Sequence, residues 1–450
     1  MTEPVPAPAP YAPAAPGTLV VYRGATLIDG TGAAPRPSTT VVVDGERIVR
    51  VAPDAEVRDG DHPGAETVDL TGHVLVPGLI DSHQHMATPP NRPVAEATLR
   101  RDLLGGVTAV RDMADDLREI GDLARAALVG EIPAPDIRYA ALMAGPGFFD
   151  DPRTWQVCQG AVPGHTPWMQ AVTPGTDLPL AVARALGTSA TAIKVYADLP
   201  GEQVAAVTAE AHRQGALVWA HAAVFPAAPG EVVAAGVDSV SHVTLLVHAA
   251  ADRPLTTYRD KPPVDHGRFL AGDDPRIEEL LAAMRRHGTI LDATASMGER
   301  FAAEAAAEGD EDARRRALAT SDLAAALTAQ ARRAAVPVSA GTDCDPDPVQ
   351  PWPPLHQEIA FLVTRCGFTV EQAFHSATLV GARSMGAQDD MGSVEEGKLA
   401  NLVVLADDPV ADIARLDSVV LVVKRGRRHP RPASWHPADP GSAAAREERS

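Results

Sequence analysis

The sequence predicts an α/β fold: a (β/α)8 TIM-like barrel inserted in a small β-sandwich formed by the N- and C-terminal segments. Three observations carry this. From residue 80 to about 390, short apolar runs alternate with alanine- and leucine-rich helical stretches, the pattern of βαβ units around a parallel sheet. Segments 18–75 and 390–428 read instead as short strands separated by turns. Histidines, a lysine and an aspartate recur at the expected C-terminal ends of the barrel strands, where a barrel gathers its functional groups.

The elements follow in order. MTEPVPAPAPYAPAAPG (1–17) is rich in proline and alanine, and has no basic stretch leading into an apolar run; it reads as a disordered tail, not a signal peptide or anchor. LVVYRGATLIDG, TTVVVDGERIVRVA and ETVDLTGHVLV are alternating runs punctuated by turns such as Asp44-Gly45, and form the first part of the sandwich, 18–75. The barrel domain is expected over 76–389. Its strands fall at 74–82, 107–111, 137–143, 191–196, 216–220, 237–241, 288–292 and 336–341, with helices such as 201–214 and 313–334 between them. GSVEEGKLANLVVLADDP and SVVLVVKRGR return to β character and complete the sandwich over 390–428; 429–450 reads as a second disordered tail.

Composition narrows the function. Forty basic residues against 59 acidic ones leave a net charge of −19, which disfavours nucleic acid and anionic membrane surfaces as partners. No run approaches the ~18 apolar residues of a membrane span. Three cysteines, Cys158, Cys344 and Cys366, lie far apart and form no disulfide framework, so a cytoplasmic location fits. The expected partners are a small-molecule substrate and further copies of the chain in a homo-oligomer. Only four of the basic residues are lysines, at 194, 261, 398 and 424. A lysine inside an apolar strand of such a chain has a reason of its own.

Residues 74–85, VLVPGLIDSHQH, show what the strand ends hold. The apolar run ends in His83 and His85, and side chains two apart in a strand share a face, about 6–7 Å apart. A hydrogen-bonded pair of histidines would explain this stretch alone. The other strand ends add Lys194 (TAIKVY), His221 (VWAHA), His242 (SVSHV) and Asp343 (SAGTD). Four imidazoles, a carboxylate and a bridging anion are what two zinc-like ions need. An ammonium cannot ligate, but a desolvated lysine near other cations loses its proton, and the neutral amine can take up CO2 as a carbamate whose two oxygens bridge two ions. Arginine could not do this.

These motifs resemble the amidohydrolase superfamily, in its imidazolonepropionase-like and prolidase-like branch. PGLIDSHQH, AIKVYAD, VWAHA, DSVSHV, SAGTD, the opening GATLIDGTG and the closing GSVEEGKLANLVVL carry the likeness over roughly residues 18–428. The resemblance implies that His83, His85 and Asp343 hold one divalent ion, His221 and His242 a second, and carboxylated Lys194 bridges them; zinc is the expected metal. Dipeptidase relatives carry a glycine-rich or tyrosine-bearing segment after the fifth-strand histidine, whereas this chain has AHAAVFPAAPGE.

The implied activity is hydrolysis of an amide-type C–N bond in a dipeptide, N-acyl amino acid or cyclic amide. Asp343 is the expected proton shuttle, and His242 and Tyr196 the groups that stabilise the oxyanion. Tyr196, His165, Arg111 and Thr294 are the candidate substrate contacts. The alternatives are an esterase, lactonase or phosphotriesterase-like hydrolase on the same metals, then a mononuclear deaminase or a non-catalytic scaffold. His73 reads as structural, His356 as a supporting residue, and Cys344 as packing.

Overall fold

A computed structural model of the chain describes residues 9–58 and 60–432. Five strands open it: β1 (Leu19–Leu27), β2 (Arg36–Asp44), β3 (Arg47–Pro53), β4 (Glu66–Asp69) and β5 (Val74–Pro77). The barrel strands follow: β6 (Leu79–Gln84), β7 (Val107–Asp112) and β8 (Asp136–Ala144). A short hairpin, β9 (His165–Thr166) and β10 (Met169–Ala171), precedes β11 (Ala192–Val195), β12 (Leu217–His221), β13 (Ser239–Ser241), β14 (Ile290–Asp292) and β15 (Val338–Ser339). Three strands close the fold: β16 (Leu402–Leu405), β17 (Val419–Lys424) and β18 (Arg427–Pro430).

The end module hydrogen-bonds as one mixed sheet, in the order β18-β17-β16-β5-β1-β2-β3 with β4 alongside β1. Its two halves meet where β5 pairs antiparallel with β16, Val74 opposite Leu405 and Pro77 opposite Leu402. The β2–β3 hairpin turns at Gly45, whose φ of 56° is the left-handed conformation that a two-residue turn demands.

The expected strand 74–82 is two strands, and Gly78 is the reason. Its N–H donates to Asn401 O, in the module, while the next residue, Leu79, enters the barrel. A Cβ on Gly78 would lie 2.0 Å from Thr108 Oγ1, so only glycine lets the chain pass from one sheet to the other here.

Eight parallel strands form the barrel in the order β6-β7-β8-β11-β12-β13-β14-β15. It closes between first and last: Ser82 N donates to Ala340 O (2.9 Å), His85 N to Cys344 O (3.0 Å) and Asp343 N to His83 O (2.8 Å). Every residue of β6, β7 and β11 is buried, as strands covered on both faces by helices and barrel interior must be. The helix expected at 201–214 spans Gly201–Arg213, and that at 313–334 spans Glu311–Arg333, preceded by Met297–Glu308.

The expected tails need correction where they are described. Residues 9–17 lie against the body: Tyr11 N donates to Gly130 O, Ala14 N to Arg425 O, and the Tyr11 ring stacks on His429 at 6.2 Å. His429 and Pro430, also expected in a tail, belong to β18. A proline-rich segment carries no periodicity that would announce such docking. Residues 1–8 and 433–450 lie outside the described residues.

Candidate metal centre

The histidine pair sits where the alternation of a strand places it. His83 is the fifth residue of β6 and His85 lies one past its end; their rings stand 5.5 Å apart. Both turn Nε2 toward one oxygen: Asp343 Oδ1 is 3.2 Å from His83 and 3.3 Å from His85. The ligand atoms of these three residues lie within 4.8 Å of one another. Behind the rings, His83 Nδ1 pairs with Asp292 Oδ2 at 2.6 Å and His85 Nδ1 with Asp115 Oδ1 at 2.7 Å. A carboxylate behind an imidazole holds the tautomer that leaves Nε2 free to ligate.

The charges around this pair call for a cation. Two buried carboxylates, Asp115 and Asp292, and the half-buried Asp343 surround two imidazoles. Burial works against a charged His85, yet Asp115 and Asp343 more than offset it and hold its pKa well above the ordinary histidine value. Burial likewise opposes ionisation of Asp343, and His83 and His85 reverse this to leave it well below the carboxylate range. A divalent ion competes with ring protons for the same Nε2 lone pairs and meets the same demand for positive charge. The donors present thus fit a metal.

The other half of the site lies beside it. His242 is 5.0 Å from His83 and 4.8 Å from His221, ring to ring. Burial pushes His242 down to about 3 and His221 well below the usual range, with Lys194 a further cause in both. Neutral rings are the form that ligates. His242 Nδ1 meets Thr294 Oγ1 at 3.1 Å, while buried His221 Nδ1 has no hydrogen-bond partner among the described residues. Lys194 is 1% exposed, and its Nζ reaches Ser241 Oγ at 3.4 Å. Burial draws its pKa down to about 7; Asp292 opposes the fall and Arg111 adds to it. At that value a large share of the amine is unprotonated near neutral pH.

Backbone geometry marks the same rim. His242, Thr294 and Asp343 hold φ values of 71°, 46° and 53° just past their strand ends. Each such residue costs about 1–3 kcal/mol, strain that the surrounding barrel must outweigh.

The remaining candidates separate. Tyr196 lines a cavity of about 1140 Å³ that opens above His85 and Asp343, walled in part by Phe148, Phe301 and Trp352. Its ring lies 4.0 Å from His221, and burial, then Tyr258 and Asp343, push its hydroxyl pKa well above the usual value. Thr294 faces His242 rather than the cavity. Arg111 is 0% exposed and spends its guanidinium inside the barrel, on Ser82 O, Ser239 Oγ and Asp292 Oδ2, stacked 4.6 Å from the Trp219 ring. The expected substrate contact is therefore corrected: Arg111 supports the floor of the site, with Asp292 as its acid. His165 is exposed on the β9–β10 hairpin and is absent from the cavity wall. His356 bridges Asp417 Oδ1 and Gly105 O, a supporting role.

Sequence reasoning missed groups around the ligands, among them Asp115 behind His85. Asp292 ends β14 and accepts from His83, from Ser241 Oγ at 2.8 Å and from Arg111, interactions that outweigh burial and lower its pKa to about 2. Its signal was present: GTILD ends a barrel strand in an acid. Tyr258, in the long segment after β13, lies 5.7 Å from His221 and from Tyr196, so a tyrosine, lacking in the segment after β12, arrives from another loop. No sequence pattern announces that.

Comparison with known proteins agrees with the geometry. The model of the amidohydrolase family matches residues 74–428, and the chain belongs to this family; it is an enzyme of the class that hydrolyses C–N bonds. An imidazolonepropionase from Anaeromyxobacter sp. (strain K) is 26% identical over 423 residues, 87% of this chain and 90% of that protein. A dihydroorotase from Desulforapulum autotrophicum is 36% identical over 97 residues, so the match spans only 22% of that protein and 21% of this chain. A solved Xaa-Pro dipeptidase with methionine bound superposes with a TM-score of 0.72 at 23% identity, over 92% of this chain and all of that one.

Proposed function

We propose that this chain is a binuclear metal-dependent amidohydrolase that cleaves an amide-type C–N bond in a dipeptide, N-acyl amino acid or cyclic amide. The observation that carries the reading is the convergence of His83 and His85 Nε2 on Asp343 Oδ1 at the mouth of the barrel. His83, His85 and Asp343 would hold one ion, His221 and His242 the other, with Lys194 between them as a carbamate. That carbamate forms when the neutral amine attacks CO2, making an N–C bond and releasing a proton. Bound divalent ions, zinc by this nitrogen and oxygen donor set, supply a water of lowered pKa and polarise the scissile carbonyl.

The chain's own residues do the rest. Asp343, ionised and at the cavity wall, takes the proton of the attacking water and delivers it to the leaving nitrogen. Tyr196 keeps its hydroxyl proton and lines the cavity beside His221, so it is the better oxyanion donor. His242, neutral and with Nδ1 engaged by Thr294, serves as a ligand. All six ligand residues are present, which argues against a non-catalytic scaffold, and Lys194 argues against a mononuclear deaminase. The test is elemental analysis after reconstitution, followed by a screen of dipeptides, N-acyl amino acids, lactams and activated esters. Close to two ions per chain and turnover of an amide are expected. One ion or none overturns the binuclear site, and turnover of esters alone overturns the amide assignment.

A further inference from the structure

Asp343 has two tasks on this reading, ligand and proton shuttle, and both need its carboxylate held in one place. Its backbone is poorly suited to that. A φ of 53° takes the chain out of the β-ladder past β15, so the carbonyls of Thr342 and Asp343 are left without strand partners. Both carbonyls are met by one side chain. Arg300 donates from Nη1 to Thr342 O at 3.0 Å and from Nη2 to Asp343 O at 3.0 Å, with Cys344 Sγ also against Nη1. The planar fork of a guanidinium can engage two divergent carbonyls at once; an ammonium is a point donor.

Arg300 is itself fixed in place. It lies in the first turn of the helix Met297–Glu308, which has no side-chain cap of its own. The N–H groups of Ala295 and Ser296, at its start, instead donate to Glu358 Oε1 and Oε2 at 2.9 and 2.7 Å, from the fully buried Glu358 on the neighbouring helix Pro354–Thr364. The residue before them is Thr294, which holds His242. One short segment therefore anchors a residue of each half of the site: His242 through Thr294, and Asp343 through Arg300.

We infer that Arg300 is a positioning residue for Asp343, clamping the carbonyls on either side of its left-handed backbone so that its carboxylate stays within reach of both His83 and His85 Nε2. The inference rests on the metal-dependent reading above. Arg300 also lines the cavity and is 22% exposed, so it is reachable from solvent and its loss leaves no closed void.

Direct binding of Co²⁺ to the metal-stripped full-length protein tests this, alongside thermal unfolding of the same metal-free samples. Arg300→Ala should bind Co²⁺ on the order of 10–100-fold more weakly than the unaltered protein, the usual cost of removing a residue that orients a metal ligand. Its metal-free unfolding midpoint should move by no more than a few degrees. Arg300→Lys, able to serve one carbonyl at a time, should recover part of the affinity. Affinity within about twofold of the unaltered protein in Arg300→Ala would overturn the inference. So would a large fall in the metal-free midpoint with normal Co²⁺ binding, because Arg300 would then only stabilise the fold. Failure of the unaltered protein to bind Co²⁺ would sink the metal-dependent reading itself, a different result from equal binding by both.

Discussion

Two lysines are buried in a chain that has four, and they are buried differently. Lys424, at the end of β17, forms an ion pair with Asp136 Oδ1 at 2.8 Å and donates to Ala127 O at 2.9 Å; Arg425 holds the other oxygen of the same aspartate. Its charge is paired at the seam between module and barrel. Lys194, inside the barrel mouth, has a serine hydroxyl at 3.4 Å, and the charges acting on it are mixed: Arg111 against Asp292 and Asp343, beside the neutral rings of His221 and His242. Burial lowers both pKa values and carboxylates oppose the fall in both, but Lys424 has Asp136 in direct contact, whereas Asp292 and Asp343 act on Lys194 without forming an ion pair with it. A buried ammonium without a close anion is costly. The fold pairs Lys424 as a cation, while at Lys194 burial outweighs the pull of Asp292 and brings the amine close to losing its proton.

Substitution can break this contrast. Lys194→Arg should have the largest effect: if the proposed binuclear site is right, a permanent cation there removes the bridging anion and repels both ions at short range. Elemental analysis should find the metals lost and turnover abolished, and retention of two metals with most of the activity would refute the carbamate. Lys194→Ala should also be inactive, yet partly restored by acetate or propionate filling the gap, with no such rescue in Lys194→Arg.

Asp343→Asn should fold and keep much of its metal while kcat falls by ~10²-fold or more, since the amide cannot shuttle the proton. Near-normal kcat from pH 6 to 9 would assign the base elsewhere. A smaller effect is expected for Asp292→Asn, which removes the anion behind His83 and beside Arg111: metal affinity, measured by competition with a chelator, should weaken by about 10–100-fold. Unchanged affinity would reduce Asp292 to a packing residue.

Lys424→Met sharpens the comparison from the other side. Breaking the buried pair with Asp136 should cost on the order of 3 kcal/mol in denaturant unfolding, moderated by Arg425, which remains on the carboxylate. Activity per folded molecule and metal content should not change. If this variant loses metal as Lys194→Arg does, then burial alone, not position, sets what a lysine does here.

The legible part of the site is the part that strands carry. His83, His85, Lys194, His221, His242 and Asp343 were read from strand ends, because each short apolar run shows where a strand stops and a barrel brings all such ends to one mouth. Two further candidates lie away from the cavity wall. Arg111 lies at a strand end but points into the barrel floor, since a charge with Ser239, Ser82 O and Asp292 around it is satisfied there. His165 lies in an insertion that folds back as a hairpin beside β8, pairing Met169 with Leu142, and carries the histidine to the surface. The strand expected at 74–82 divides at Gly78 because a contact with Thr108, distant in sequence, forbids any Cβ.

The sequence by itself determined the barrel, the end module, the six converging side chains and the oddity of Lys194, all of which follow from local periodicity and residue type. Tertiary structure alone decided what stands behind and above them. Asp292 and Asp115 became the anchors of the histidines, Tyr258 came from a loop about 60 residues from Tyr196, and Arg300 found the carbonyls beside Asp343. These are contacts between groups on different elements, and no period along one chain encodes a distance across a barrel.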